Sequence, residues 1–179
     1  MLLWLEMRLV ECSLAEHGSA IVAILNDAIA TSTALYDYRP RELASMTAWF
    51  EAKRAGGFPV WGALNESAKL LGFASYGSFR AWPAYKYSVE HSVYVAEGER
   101  GQGVGKALLQ RVIQSATEQQ LHTLIGGIDA ENARSIAFHE RLGFMHAGTI
   151  KQAGFKFGRW LDLAFYQLIL PTPTAPSDG

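Results

Sequence analysis

The stretch ERGQGVGKALL, residues 99–109, places glycines at 101, 103 and 105 directly before a run with helical spacing. The first amides of a helix have no intrahelical partner, and the helix dipole adds positive potential there, so glycines at such a start suit a phosphate. Spacing excludes two nucleotide motifs. A Walker A loop needs a glycine five positions before the Gly-Lys pair and a hydroxyl residue after it, where this chain has Arg100 and Ala107. The dinucleotide fingerprint needs a glycine where Lys106 stands. What remains is R-G-x-G-x-G, with Arg100, Gly101, Gln102, Gly103, Val104, Gly105 and Lys106 as candidate contacts to a diphosphate. It carries no hydroxyl for magnesium, so binding rather than phosphoryl transfer is expected. The same glycines also serve a plain tight connection from strand to helix, and the loop alone leaves both readings open.

Two further side chains suit the chemistry of an amine nucleophile. Glu90 lies in KYSVEHSVYVA, where Tyr87, Val89, Val93 and Val95 alternate with Ser88, Glu90, Ser92 and Tyr94. A glutamate partly buried on the polar face of such a strand has a raised pKa and fits a general base; the alternative is a solvated strand residue. Arg80 follows YGSF and precedes Trp82. Its planar fork fits a carboxylate or phosphinate with the tryptophan as a wall, or else it is a surface arginine beside a packed ring. Tyr36 and Tyr38 are candidates to close such a pocket. His17, His91, His122 and His146 show no metal-site spacing, so no metal is expected, and Asp162 reads as a structural acceptor.

These residues must be held by regular elements. MRLVEC alternates as a first strand, and Ser13 with Glu16 forms a capping box that starts a helix at Leu14 and carries it to near Ile29. ELASMTAWFEAKRA predicts a second helix with Leu43, Met46 and Phe50 on one side, and the two apolar runs flanking NESAK predict an antiparallel hairpin. After the glycine loop, Leu108, Leu109, Val112, Ile113 and Ala116 stripe a helix, followed by the strand TLIGGI. Asn132 caps ARSIAFHERL and Gly143 closes it; MHAGTI and RWLDLAFYQLIL are the last strands. The order is strand, loop, helix, strand, an α/β pattern. One domain over residues 1–170 is expected, with PTPTAPSDG, 171–179, as a disordered tail.

Composition narrows the partners. The 179 residues are 49% hydrophobic, enough for a core, and carry a formal charge of −1, without the basic face that nucleic acid requires. Cys12 is the single cysteine and reads as a buried thiol, which fits a reducing, cytoplasmic setting. The start MLLWLEMRLVEC is interrupted by Glu6 and Arg8 and reads as neither a signal peptide nor a membrane span.

VYVAEGERGQGVGKALL followed by IDAENARSIAFHERLGF resembles the acyl-CoA signature of the GNAT-type N-acetyltransferases. The resemblance covers nearly the whole chain, and VEHSVYV, SIAFHERLGF and GFKFGRWLD are most similar to the phosphinothricin and methionine sulfoximine branch. It implies a mixed, mostly antiparallel central sheet flanked by helices, an α/β (α+β) fold. It implies that Arg100, Gly103 and Gly105 hold the pyrophosphate of acetyl-CoA, that Val93, Tyr94 and Val95 form the splayed strand facing its pantetheine arm, and that Asn132 contacts it. By the same resemblance Glu90 serves amine deprotonation, through water, and substrate contacts fall at Arg80, Ala81 and Trp82 and at Glu90, His91 and Ser92. His139 stands where many of these enzymes carry a tyrosine thought to protonate the departing sulfur, so a proton-transfer or substrate-binding role is implied, with packing as the alternative. The implied reaction moves acetyl from acetyl-CoA to the α-amino group of a small amino-acid analogue, in a homodimer. Two rivals share the cofactor site: a protein or peptide acetyltransferase, against which Arg80 with Trp82 argues, and a non-catalytic acyl-CoA-binding module, against which Glu90 argues.

Overall fold

Helix caps and strand alternation set most boundaries. The computed structural model describes residues 7–178; residues 1–6 of the apolar start, on which the reading of signal and span partly rests, lie outside them. β1 (Arg8–Glu11) leads into α1 (Leu14–Thr31), where the Ser13 hydroxyl accepts the Glu16 amide at 3.3 Å. The return bond of a capping box is made by His17 instead of Glu16, because the Ser13 amide donates to His17 Nδ1 at 3.2 Å. Then come α2 (Ser45–Ala55), β2 (Val60–Leu64), β3 (Leu70–Ser78), a single 3-10 turn at Pro83–Tyr85, β4 (Ser88–Val95), α3 (Val104–Glu118), β5 (Thr123–Asp129), α4 (Ala133–Glu140), β6 (Met145–Lys156) and β7 (Arg159–Ile169). α2 starts later than expected, which leaves Leu43 outside the helix and exposed.

The strands form one sheet in the order β1-β2-β3-β4-β5-β7-β6. All neighbours are antiparallel except β4 and β5. Alternation along β3 sorts the core: Phe73 joins Ile21, Ile24, Leu25 and Met46 under α1 and α2, whereas Ala74 and Tyr76 join Leu108, Leu109 and Val112 of α3 on the other face. Cys12 is buried in the first of these clusters, and burial pushes its thiol up to about 12, so it is inert.

Two expectations are corrected. β6 continues to Lys156, past the expected MHAGTI, through register shifts after His146 and Ile150. It is an edge strand with most residues exposed, so no buried face imposes the alternation by which strands are recognised. The expected disorder does not hold for Pro171–Asp178. Thr172 is buried, its hydroxyl donates to the Leu121 carbonyl and its carbonyl lies 2.6 Å from His122 Nδ1, while Ser177 bonds the Tyr87 hydroxyl.

Candidate active site

The parallel pairing of β4 with β5 stops at Glu90 opposite Ile125. Beyond that pair the strands part, although β3 continues to pair with β4 as far as Val95. A cavity of about 880 Å³ opens in the gap, lined by Ser92, Val93, Tyr94 and Val95 on one side and Gly126, Gly127, Ile128 and Asp129 on the other. The edge of Val93–Val95 that faces this gap therefore has no strand partner, as expected of a segment that offers backbone groups to an extended ligand.

At one mouth of the cavity stands the glycine loop. Gly101 has φ +84°, and Gly103, which caps α3, has φ +88°, conformations that side chains rarely adopt. A Cβ at Gly103 would meet nothing within 4 Å, so the space above it is open. The first intrahelical amide is that of Ala107, which donates to the Gly103 carbonyl at 3.0 Å; the amides before it have no helical acceptor. An open cradle of free amides at a helix start fits a diphosphate, and Arg100, Lys106 and Arg134 line it. Two loop residues serve the protein instead. Val104 is buried in the core, and Gln102 turns back to donate to the Gly98 carbonyl at 3.0 Å. Asn132 lines the cavity while its side-chain oxygen accepts the Ser135 amide at 3.0 Å as the cap of α4.

Glu90 projects into the cavity from the face that carries α1 and α2. A Cβ at Gly127 would lie 2.9 Å from its Oε1, so this glycine gives the carboxylate its room. Among the described residues it forms no ion pair. Desolvation by the cavity walls pushes its pKa up, against the pull of Arg80. A carboxylate so placed accepts protons more readily than one in water.

His91 does not share that face. It is buried on the opposite side, where its ring stacks on His139 with centroids 5.1 Å apart and planes at 24°. Gly126 makes the pair possible, because a Cβ there would lie 2.9 Å from His91 Nε2 and 3.4 Å from His139 Nε2. Desolvation, followed by the neighbouring His139, lowers the His91 pKa to about 3, so it is neutral. His139 Nδ1 lies 2.7 Å from the Ser135 carbonyl. A carbonyl only accepts, so Nδ1 carries the proton and the ring's lone pair is at Nε2, an atom that is buried without a hydrogen-bond partner. Burial lowers the His139 pKa as well, which opposes the imidazolium that a proton donor would need.

Arg80, Ala81 and Trp82 are exposed and stand outside the lining; the Arg80 guanidinium covers the Phe79 ring at 5.2 Å, and Trp82 is 70% exposed. Tyr36 lines the cavity, but Tyr38 points away, its hydroxyl donating to the Phe155 carbonyl at 2.7 Å. Sequence reasoning missed four charged lining residues, Lys53, Asp129, Arg134 and Arg141. Asp129 ties the cavity wall together by accepting from Thr33 at 2.6 Å, Arg159 at 3.0 Å and the Glu131 amide at 3.1 Å. Burial raises its pKa, but those bonds more than offset it and the net shift is downward. Lys53 reaches in from α2, its Nζ donating to the Tyr76 carbonyl at 2.7 Å. No three His, Cys, Asp or Glu side chains come together as a metal site among the described residues. No helix among them is long and apolar enough to cross a membrane.

Comparison with known proteins places this geometry. An L-methionine sulfoximine/L-methionine sulfone acetyltransferase of Pseudomonas paraeruginosa is 46% identical over 157 residues, which are 87% of this chain and 91% of that protein. The solved structure of a putative acetyltransferase from Acinetobacter baylyi superposes with TM-score 0.97 at 57% identity, covering 100% of both chains. A phosphinothricin acetyltransferase from Sinorhizobium meliloti, solved in complex with acetyl-CoA, superposes with TM-score 0.90 at 34% identity, covering 96% of this chain and 92% of that one. The model of the acetyltransferase (GNAT) family matches residues 21–144, a span that holds the parted strands, the glycine loop and both histidines of the stacked pair. With the open sheet edge, the cradle at α3 and the sequence match in agreement, the chain belongs to the acetyltransferase (GNAT) family.

Proposed function

We propose that this chain transfers the acetyl group of acetyl-CoA to the α-amino group of a small amino-acid analogue, with methionine sulfoximine, methionine sulfone and phosphinothricin as the leading candidates. One observation carries this reading: a single cavity joins a free-amide cradle at the start of α3 to the unpaired, desolvated carboxylate of Glu90. The named activities of the Pseudomonas and Sinorhizobium relatives support the choice of substrates.

Bound acetyl-CoA supplies a thioester as the acetyl donor. The loop of Gly101, Gly103 and Gly105 holds its diphosphate, with Arg100, Lys106 and Arg134 adding positive charge, and the free edge of Val93–Val95 aligns the arm and polarises the carbonyl. Glu90, directly or through one water, takes the proton of the incoming ammonium so that the amine gains a lone pair. Arg80 stands outside the cavity lining, yet its charge acts on Glu90, and its fork suits the tetrahedral group at the far end of the substrate. His139 Nε2 is buried against Gly126 and the His91 ring without a hydrogen-bond partner, so a contact of this atom with the amine or the released thiol requires the ring to shift toward the cavity that His139 partly lines.

A homodimer is part of this reading. Met145, Ile150, Phe155, Phe157 and Trp160 leave a largely apolar surface exposed along the β6–β7 hairpin, and a second copy of the chain is the occupant proposed for it. Sedimentation of the purified protein at the mass of one chain across micromolar concentrations would remove the dimer. The unpaired Cys12 supports a cytoplasmic setting.

The functional test is release of free thiol from acetyl-CoA in the presence of a panel of amines. We expect turnover with one or more of the three analogues and background rates with peptide N-termini and lysine-containing peptides. Turnover confined to peptides, or acetyl-CoA binding without turnover on any amine, refutes the assignment.

A further inference from the structure

The substrate half of the cavity contains a cation that no reading of the sequence singled out. Lys53 sits on α2, and its Nζ has a neutral partner, the Tyr76 carbonyl at 2.7 Å, with the Trp49 ring 5.3 Å away. No acidic side chain pairs with it among the described residues. Desolvation lowers its pKa to about 8, the signature of an ammonium that lacks a counterion. The remaining lining cations, Arg100, Lys106, Arg134 and Arg141, stand on the glycine loop, α3 and the α4 region. Lys53 alone of the described lining residues brings positive charge from α2.

Register places this cation on the sheet face that carries Glu90. Gly77 of β3 pairs directly with Glu90 of β4, and residues directly opposite in an antiparallel pair project from the same face. The position of a Cβ on Gly77 lies 3.4 Å from Lys53 Nζ. Glu90 leans the other way, with its Oε1 2.9 Å from the Cβ position of Gly127. Two glycines thus flank the Glu90 position, and the floor between ammonium and carboxylate has no side chain above Gly77.

We infer that Lys53 holds the α-carboxylate of the amino-acid substrate and thereby aims its α-amine at Glu90. The inference rests on the amino-acid reading given above. An amino acid carries amine and carboxylate on one carbon, so the partners of the two groups must reach the same patch, and Lys53 Nζ and Glu90 both meet the sheet face at the Gly77–Glu90 pair. The incoming carboxylate gives the half-buried ammonium the anion it lacks, so pairing restores part of the solvation that folding removed. Sulfoximine, sulfone and phosphinate substrates differ at the far end but share this head group. Lys53 accordingly sets the requirement for a free α-carboxylate, while the far end is left to other residues at the mouth.

The experiment compares methionine sulfone with its α-carboxamide, at saturating acetyl-CoA, in wild type, Lys53→Gln and Lys53→Arg. Gln keeps a donor for the Tyr76 carbonyl and removes the charge; Arg keeps the charge. For the wild type we expect a KM for the acid about ten- to a hundredfold below that for the amide. Lys53→Gln should raise the KM for the acid by that factor while leaving the KM values for the amide and for acetyl-CoA unchanged. Lys53→Arg should retain the preference for the acid. Comparing the acid-to-amide ratio across variants cancels the altered basicity of the amide's own amine. A Lys53→Gln enzyme that keeps the wild-type ratio, or a Lys53→Arg enzyme that loses it while still binding acetyl-CoA, overturns the assignment. Wild-type protein that acetylates neither compound overturns the amino-acid reading itself, a result distinguishable from failure of Lys53 alone.

Discussion

Replacing Glu90 by glutamine isolates the chemistry of the base from its packing. The side chain faces the cavity and takes part in no ion pair among the described residues, so the change keeps the shape and costs the fold no salt bridge there. The melting temperature should therefore be unchanged. An ammonium has no lone pair, so without the carboxylate the enzyme must wait for the free amine present in solution. General-base catalysis contributes about 10² to 10⁴, and the low end is expected here because the cavity is open enough for water to take part of the role. A loss of about 10² in kcat/KM corresponds to about 2.7 kcal/mol of transition-state stabilisation. The pH dependence gives the sharper reading. Desolvation by the cavity walls raises the Glu90 pKa above the ordinary 4.5, so the wild-type acid limb ends higher than that of a glutamate in open water, and activity falls as Glu90 becomes protonated. Glu90→Gln lacks that limb, and its deficit should shrink as pH rises and free amine accumulates. The assay is steady-state thiol release from acetyl-CoA between pH 5 and pH 9. Wild-type kcat/KM with a wild-type pH profile in Glu90→Gln would refute the base role and leave Glu90 as a residue that only positions substrate.

Two further changes test the cradle and the histidine pair. Gly103→Glu should abolish acetyl-CoA binding in a calorimetric titration, since it places a negative side chain in the open space before α3; Gly103→Ala carries the backbone strain of about 1 kcal/mol without the charge and should retain measurable binding. Equal affinity in wild type and Gly103→Glu would remove the diphosphate site. Gly126→Ala should lower the melting temperature by on the order of 5 °C, because its Cβ would press on two buried imidazoles at 2.9 Å and 3.4 Å. An unchanged melting temperature would mean that the His91–His139 stack yields freely and is not held by close packing.

Parts of the site were legible because their causes are local. A glycine run before an amphipathic stripe announces a helix start with free amides, and the structure puts Gly103 at that cap with φ +88°. Alternation in SVEHSVYV places Glu90 on the face shared with Ser92, and it equally places His91 on the other, which a reading of Glu90–Ser92 as one contact group overlooks. The docked tail was not legible, since Thr172 is fixed by a carbonyl from Leu121, a residue far away in the sequence. Neither was the length of β6, whose exposed edge leaves no apolar rhythm to read.

By itself the sequence determined the kind of fold, the glycine-rich start of α3 and the strand face that carries Glu90, because caps, glycine conformation and the period of a strand act within a few residues. Which side chains share the cavity was decided only in three dimensions. Lys53 reads as one more charged residue on a polar helix until α2 docks beside β3, and Arg80 with Trp82 reads as a pocket wall until the chain leaves them exposed. His139 gains its tautomer from a carbonyl one helical turn away and its neutrality from burial against His91. The deciding event is the parting of β4 from β5 after Glu90 and Ile125, since that opening determines which residues of distant segments face one another across a shared, partly dry space.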